Sequence, residues 1–167
     1  MLRIFFKANM YAVLVIGLFL ALLPFGVIKL VGLIPLKSFS GLDKFFFIAG
    51  ICLVILGGAL SYSCMTIFVT KGQGTAFPTD PPRKFVVLGA YKYVRNPMYI
   101  GNLVLAFGVG LFLQSATYLI YTFLLAVVTH FYIVFHEEPR LVQRFGQEYI
   151  EYYKMTNRWI PKFDIHK

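Results

Sequence analysis

Three long stretches of this chain carry no Asp, Glu, Lys or Arg, and no other feature so narrows the folds open to it. Residues 8–28, between Lys7 and Lys29, give 21 such positions; residues 45–70, between Lys44 and Lys71, give 26; residues 96–136, between Arg95 and Glu137, give 41. A bilayer core about 30 Å thick is crossed by a helix of about 20 apolar residues. The third run is long enough for two such helices, and its middle holds Gln114-Ser115, a polar pair suited to a tight turn at a membrane face. Four spans are therefore expected. Charged residues make up only 14% of the chain and hydrophobic residues 59%, whereas soluble domains carry about a quarter charged residues. An ordinary soluble domain is excluded.

Arg3 and Lys7 precede the first run as they would precede a secretory leader, but the run is too long for a leader's apolar core and has no A-x-A-like cleavage site. It is read as a span. Cys52 and Cys64 both fall in the second run and are read as small packing groups, not as a disulfide framework or a zinc site. The net charge of +9 could suit nucleic acid, but the basic residues flank the spans instead. Thirteen of them fall on one side of the expected topology and three on the other, which places both termini in the cytoplasm.

The expected organisation is one all-α, multi-pass membrane domain over residues 1–167. Residues 1–70 form a two-helix scaffold, in which Gly57, Gly58, Ala59, Ser61 and Ser63 would let a neighbouring helix come close. Residues 71–167 hold a polar cytoplasmic loop, a helical hairpin and a C-terminal amphipathic helix. In the loop, Pro78, Pro81 and Pro82 forbid regular helix. Pro97 starts the third span, where its missing N–H costs nothing, so Arg95 and Asn96 stand at a positive helix end. Leu141, Phe145, Tyr149 and Tyr152 or Tyr153 recur at helical spacing, and Trp159 in the tail suits a headgroup anchor.

Few of these residues can do chemistry. Glu137 and Glu138 close the fourth run; they repel each other and oppose a helix dipole that favours cations there. They call for basic partners, which Arg140 and Arg144 offer by spacing, or for a cationic ligand. His130 lies seven residues before Glu137, nearly two turns, so both are expected on one helix face. His130 then either lines a cavity with Glu137 or is a hydrogen-bonded interior residue. The segment Gly89 to Gly101 joins aromatic rings, amides and a helix start, which suits a base and its oxygens. An interfacial aromatic belt would account equally for Tyr91, Tyr93 and Lys92, but not for Arg95-Asn96-Pro97. Gly108-Val109-Gly110 follows no strand and is no dinucleotide motif, and neither a P-loop nor an HExxH or GxSxG pattern occurs.

The run Gly89 to Gly101, followed one hairpin later by Glu137-Glu138 and then by Leu141, Phe145-Gly146, Glu148-Tyr149, Tyr152 and Trp159-Ile160-Pro161, resembles the isoprenylcysteine carboxyl methyltransferase and phospholipid methyltransferase superfamily. Its hallmark is R-H-P-x-Y-x-G and then a paired glutamate. The resemblance covers about Lys71 to Pro161. It implies a membrane enzyme that binds S-adenosylmethionine without a Rossmann fold and uses no metal. By motif match, Tyr91, Asn96, Pro97, Met98, Tyr99, Glu137 and Glu138 would contact the cofactor, as would the strand-like stretch Phe85, Val86 and Val87. Asn96 replaces the histidine of the eukaryotic carboxyl methyltransferases and agrees with an N-P-M-Y form of bacterial members, implying a bacterial inner membrane. The substrate-orienting arginine of the eukaryotic enzymes has no match within Phe131 to His136.

The sulfonium and ammonium of that cofactor need a countercharge, which the glutamate pair supplies. The acceptor is expected to be a membrane lipid or lipophilic small molecule. If it is an isoprenylcysteine-like carboxylate, the first choice, no base is needed and Arg95 can hold it. If it is a phospholipid amine, His130 or Glu138 can take its proton. Outside enzymes, a four-helix transporter would be expected to place a charge near mid-span, and an adaptor would not require both motifs.

Overall fold

The computed structural model describes residues 2–163 apart from 33, 35–41 and 76–80, and it is helical, with no strand among those residues. Helix α1 (Leu2–Ile16) passes through a π-helical stretch (Gly17–Leu22) into α2 (Leu23–Val31), making one rod. Pro24 has no N–H to give the carbonyl of Leu20, four residues back. That carbonyl accepts instead from the Tyr118 hydroxyl at 2.7 Å, and the neighbouring Phe19 carbonyl accepts from Tyr121 at 2.7 Å. A proline in one helix is thus matched by two tyrosines on another.

Helix α3 (Asp43–Ile67) runs on through a π-helical turn (Phe68–Gly72) and stops at Gln73, whose φ is 56°. Helix α4 (Pro97–Phe112) turns at Gln114, φ 48°, into α5 (Ala116–Tyr132), whose N-cap Ser115 accepts from Tyr118 N. The polar pair of the sequence is indeed the hairpin turn. Ile34 and Gly32 are tied to it as well, through Thr117 and Ala116.

Three helical rods are long and apolar enough to cross a bilayer: Arg3–Val31, Asp43–Gly72 and Ala116–Phe145. The expected third span is α4, a shorter apolar helix of 16 residues, or about 24 Å of rise. The 41-residue run is divided unevenly. Helix α5 does not stop at Glu137 but continues through a π-helical turn (Ile133–Glu137) into α6 (Glu138–Phe145). Pro139 sits in the first turn of α6 just after the π turn, a local widening that lets the helix continue past a residue with no N–H. The C-terminal amphipathic helix is broken at Gly146, φ 55°, so that α7 (Gln147–Met155) sets off in a new direction.

Helices α3 and α4 pack most closely, and glycines explain why. A Cβ on Gly57 would stand 2.5 Å from the Gly101 carbonyl oxygen, and one on Gly50 would stand 2.5 Å from the Phe112 nitrogen. Gly101 and Gly108 face back in the same way, seven residues apart like Gly50 and Gly57. Backbone therefore meets backbone, as small residues allow in lipid. Of the small residues singled out in the sequence, Gly57 and Ser61 lie in this contact, whereas a Cβ on Gly58 would meet only the Leu105 side chain at 3.7 Å. Gly57→Ala is expected to cost about 1–3 kcal/mol by overpacking, and Gly58→Ala very little. Thermal unfolding of both variants in detergent checks this; equal midpoints would remove the glycine contact as the cause of close packing.

From the level of the Gly57–Gly101 contact, α3 extends fifteen more residues to Gly72 and α4 only four to Pro97, an overhang of about 16 Å. Helices α5 and α6 overhang on the other side. The start of α4 is therefore set back from the ends of its neighbours, and the loop residues before it, with Tyr91 buried on Phe68, pack beyond it.

Candidate functional site

The loop entering α4 is shaped by local constraints. Gly89 takes φ 58° where a Cβ would lie 2.8 Å from the Ile67 side chain, and a 3-10 turn (Gly89–Lys92) follows. Tyr91 is buried, its ring stacked on Phe68 at 5.0 Å, and its carbonyl accepts from the Tyr152 hydroxyl at 2.7 Å. Burial, above all, pushes the Tyr91 phenol well above its ordinary pKa. Pro97 is buried in the first turn of α4, as its chemistry predicts.

The tail beyond Met155 is no free anchor. It lies along the loop as a strap: Val94 and Asn157 form a parallel bridge, Arg95 N donates to Asn157 O at 2.9 Å, and Lys162 N donates to Tyr93 O at 2.9 Å. Asn96 donates from Nδ2 to the Arg158 carbonyl at 3.2 Å. The Asn96 side chain is thus spent on the strap and does not cap α4.

The two glutamates have different surroundings. Glu138 is 7% exposed and is gripped by Arg158, with Nε at 2.9 Å and Nη2 at 2.8 Å from its two oxygens, and by Arg95, with Nη1 at 3.1 Å. The Arg95 guanidinium lies 3.9 Å over the Tyr153 ring; its Nη1 meets Glu138 as an ion pair without hydrogen-bond geometry, and its buried Nε has no hydrogen-bonding partner among the described residues. Burial and then the charge of Glu138 push the nearby Tyr149 phenol up to about 12, so it is neutral here. Glu137 accepts a 2.6 Å hydrogen bond from the Tyr99 hydroxyl and has no ion pair among the described residues. Arg140 and Arg144 pair with neither glutamate. Arg140 follows Glu138 by two residues, which puts it on the far side of the helix, and Arg144 donates to Pro81 O at 3.4 Å.

His130 and Glu137 have different hydrogen-bond partners. The π turn lies between them and shifts their phase, so Glu137 meets Tyr99 on α4 while His130 accepts at Nδ1 from Trp159 Nε1 at 3.0 Å. His130 and Trp159 line an apolar groove of about 420 Å³ with Leu103, Ala126, Val127 and Phe131. Phe85 packs on Phe145, Tyr149 and Tyr152; Val86 lies against Gly72, and Val87 is half-buried. Met98 packs on the cluster of Ala8, Met65 and Val69, and its carbonyl accepts from Ser61 Oγ, which also reaches Asn102 Oδ1 at 2.9 Å.

The structure thus joins Arg95, Asn96 and Glu138 through Arg158, joins Tyr99 to Glu137, and joins Tyr91 to Phe85 through Tyr152. It sets His130 apart, about 10 Å of helix rise away. Sequence reading missed Arg158, and it did not foresee that Trp159 donates to His130. The available signal was indirect: a glutamate pair with one basic residue in its motif needs a second cation from elsewhere.

Long apolar rods closed at one end by buried charge define an integral membrane protein with a polar site at that end. The profile of the phospholipid methyltransferase family matches residues 45–148, well over half the chain. The chain belongs to that family, within the isoprenylcysteine carboxyl methyltransferase and phospholipid methyltransferase superfamily, and is a membrane methyltransferase. No curated protein matches the chain in a search of its relatives.

Proposed function

We propose that the set-back start of α4, with the loop before it and Glu137, binds S-adenosylmethionine and that the protein methylates a lipophilic carboxylate of the isoprenylcysteine type. The observation that carries the first half is the unequal glutamate pair. Glu138 already has two guanidinium partners, while Glu137 has only a neutral phenol. A carboxylate kept short of countercharge at a membrane edge fits a cationic ligand. When bound, the cofactor supplies a methyl on a sulfonium, whose bonding electrons stay with the sulfur as a neutral thioether.

The chain's own residues orient and enclose. Glu137 pairs with the cofactor's positive groups, and Tyr99 fixes the carboxylate's orientation through the 2.6 Å bond. Tyr91, Asn96, Pro97, Met98 and the stretch Phe85, Val86 and Val87 form the walls, with Glu138 and Arg95 holding loop and strap together. Positioning of this kind supplies much of the rate when the donor is already activated.

The carboxylate reading is supported by the engagement of the two bases that an amine would call on, Glu138 and His130. Glu138 would have to release two arginines to take a proton, and the acceptor nitrogen of His130 is already bonded to Trp159. A carboxylate oxygen forms its bond to the methyl carbon with no proton to lose; an amine must lose one. The name of the matching family favours a second reading, N-methylation of a phospholipid amine. The segregation of basic residues supports cytoplasmic termini, and the N-P-M-Y form at Asn96 supports a bacterial inner membrane. The purified protein, given methyl-labelled cofactor with farnesylated cysteine derivatives or phosphatidylethanolamine vesicles, is expected to label the former as a base-labile ester. Label in the phospholipid alone would replace the carboxylate reading by the amine reading, and label in neither lipid class would overturn the lipophilic acceptor.

A further inference from the structure

We infer that the pocket between the start of α1, the end of the α3 rod and Arg83 binds the phosphate headgroup of an anionic membrane phospholipid. The site lies outside the glutamate cluster and does not depend on the methyl-transfer reading. Ile4, Val69, Thr70, Gln73 and Arg83 line a pocket of about 210 Å³, several times the roughly 30 Å³ share of one water, so a phosphate and the glycerol carbon it carries fit. Its depth points to the occupant. Lys7 bounds the first charge-free run and Lys71 the second, so the pocket lies where both rods leave hydrocarbon, at the level of lipid headgroups. The walls change character at that level: Ile4 packs with Val69, Ala8 and Met65, whereas Thr70, Gln73 and Arg83 are polar and exposed. An apolar wall meeting a polar one matches the junction of acyl chain and phosphate, and a free phosphate ion would gain nothing from the apolar half.

Backbone contacts fix Arg83 at this place. The Arg83 and Lys84 N–H groups both donate to the Gly72 carbonyl, at 2.8 and 3.2 Å, and a Cβ on Gly72 would stand 3.0 Å from the Pro82 side chain. The loop is thereby pinned to the end of the rod, beside Gln73. Charge then favours an anion. Arg3, Lys71, Arg83 and Lys84 flank or form the lining in sequence, all are exposed, and none is in an ion pair among the described residues. Arg3 also stands in the first turn of a helix with no acidic residue there, where the helix dipole disfavours a cation. Residues 1–88 contain two acidic residues, Asp80 and, at the opposite end of α3, Asp43. A basic pocket between spans at headgroup depth is suited to an anionic lipid.

The test uses the full chain in a neutral detergent, with phosphatidylglycerol and phosphatidylcholine of identical acyl chains as probes and native mass spectrometry to measure bound lipid. The wild type is expected to retain phosphatidylglycerol over phosphatidylcholine by about fivefold or more. Arg83→Gln is expected to lower phosphatidylglycerol binding about fivefold. Thr70→Trp fills the pocket and leaves every charge in place, and it is expected to lower binding at least as much. Lys154→Gln, which removes an exposed cation from α7, is expected to stay within about twofold of the wild type, and millimolar inorganic phosphate is expected to leave the lipid bound. Equal retention of the two lipids by the wild type, equal losses in Arg83→Gln and Lys154→Gln, or unchanged binding by Thr70→Trp overturns the inference. Displacement of the lipid by inorganic phosphate would make the pocket a site for a free anion and overturn the lipid as its occupant. The wild-type preference is read without any variant, so a misfolded variant does not leave the idea untested.

Discussion

Replacing Glu137 by Gln is expected to weaken S-adenosylmethionine binding by about 2 kcal/mol, roughly thirtyfold in Kd, with a comparable or larger loss of methyl transfer. The substitution is close to isosteric, and the new amide oxygen can still accept from Tyr99, whose hydroxyl now lies 2.6 Å from Glu137. The fold should therefore survive, and the loss should report charge alone. Calorimetric titration of the cofactor and of its demethylated product into both proteins separates the contributions. The product has lost the sulfonium charge and keeps the ammonium, so it should lose less affinity in the variant than the cofactor does. Unchanged binding by Glu137→Gln would remove Glu137 as the countercharge and, with it, the main support for the cofactor site.

The neighbouring substitution is expected to act on stability instead. Glu138→Gln leaves Arg95, whose side chain is 8% exposed, beside Arg158 with no anion between them. Breaking a buried pair in this way costs about 3–5 kcal/mol, because a charge is left without compensation. The strap should loosen from the loop as well, since the same cluster joins residues 93–96 to residues 157–162. Unfolding followed by denaturant or heat in detergent measures the loss, and adding Arg158→Met to Glu138→Gln should recover part of it by removing one stranded cation. A single variant as stable as the wild type would mean that the clamp contributes nothing to folding. Two adjacent and identical side chains are thus expected to give opposite phenotypes, one in function and one in stability.

The sequence made the spans legible because lipid imposes a plain rule on charge, and residues 8–28, 45–70 and 96–136 obey it. Gln114-Ser115 gave the hairpin for the same kind of reason, a polar pair amid apolar residues. The length of α4 was hidden, because nothing in the 41-residue run marks that α5 will carry on past Glu137 and Pro139 through a π turn. That turn also alters the 3.6-residue period by which His130 and Glu137 are expected on one face, and the two side chains bond to different partners, Trp159 and Tyr99. The Glu138 partners were hidden for a different reason. Arg158 lies twenty residues downstream, and only the kink at Gly146 and the return of the strap bring it back. Spacing along a helix pointed to Arg140 and Arg144; the fold chose a residue that no local period relates to Glu138. Motifs marked which residues would gather, and tertiary structure decided which of them pair with one another.

The shortness of α4 has a kinetic consequence. If methyl transfer takes place at the proposed site, its floor is set back between longer apolar helices, so an acceptor can approach it sideways from the lipid. The relevant concentration is then two-dimensional. Turnover should follow the mole fraction of acceptor among the surrounding lipids, and diluting vesicles in buffer at fixed composition should leave the rate per protein unchanged.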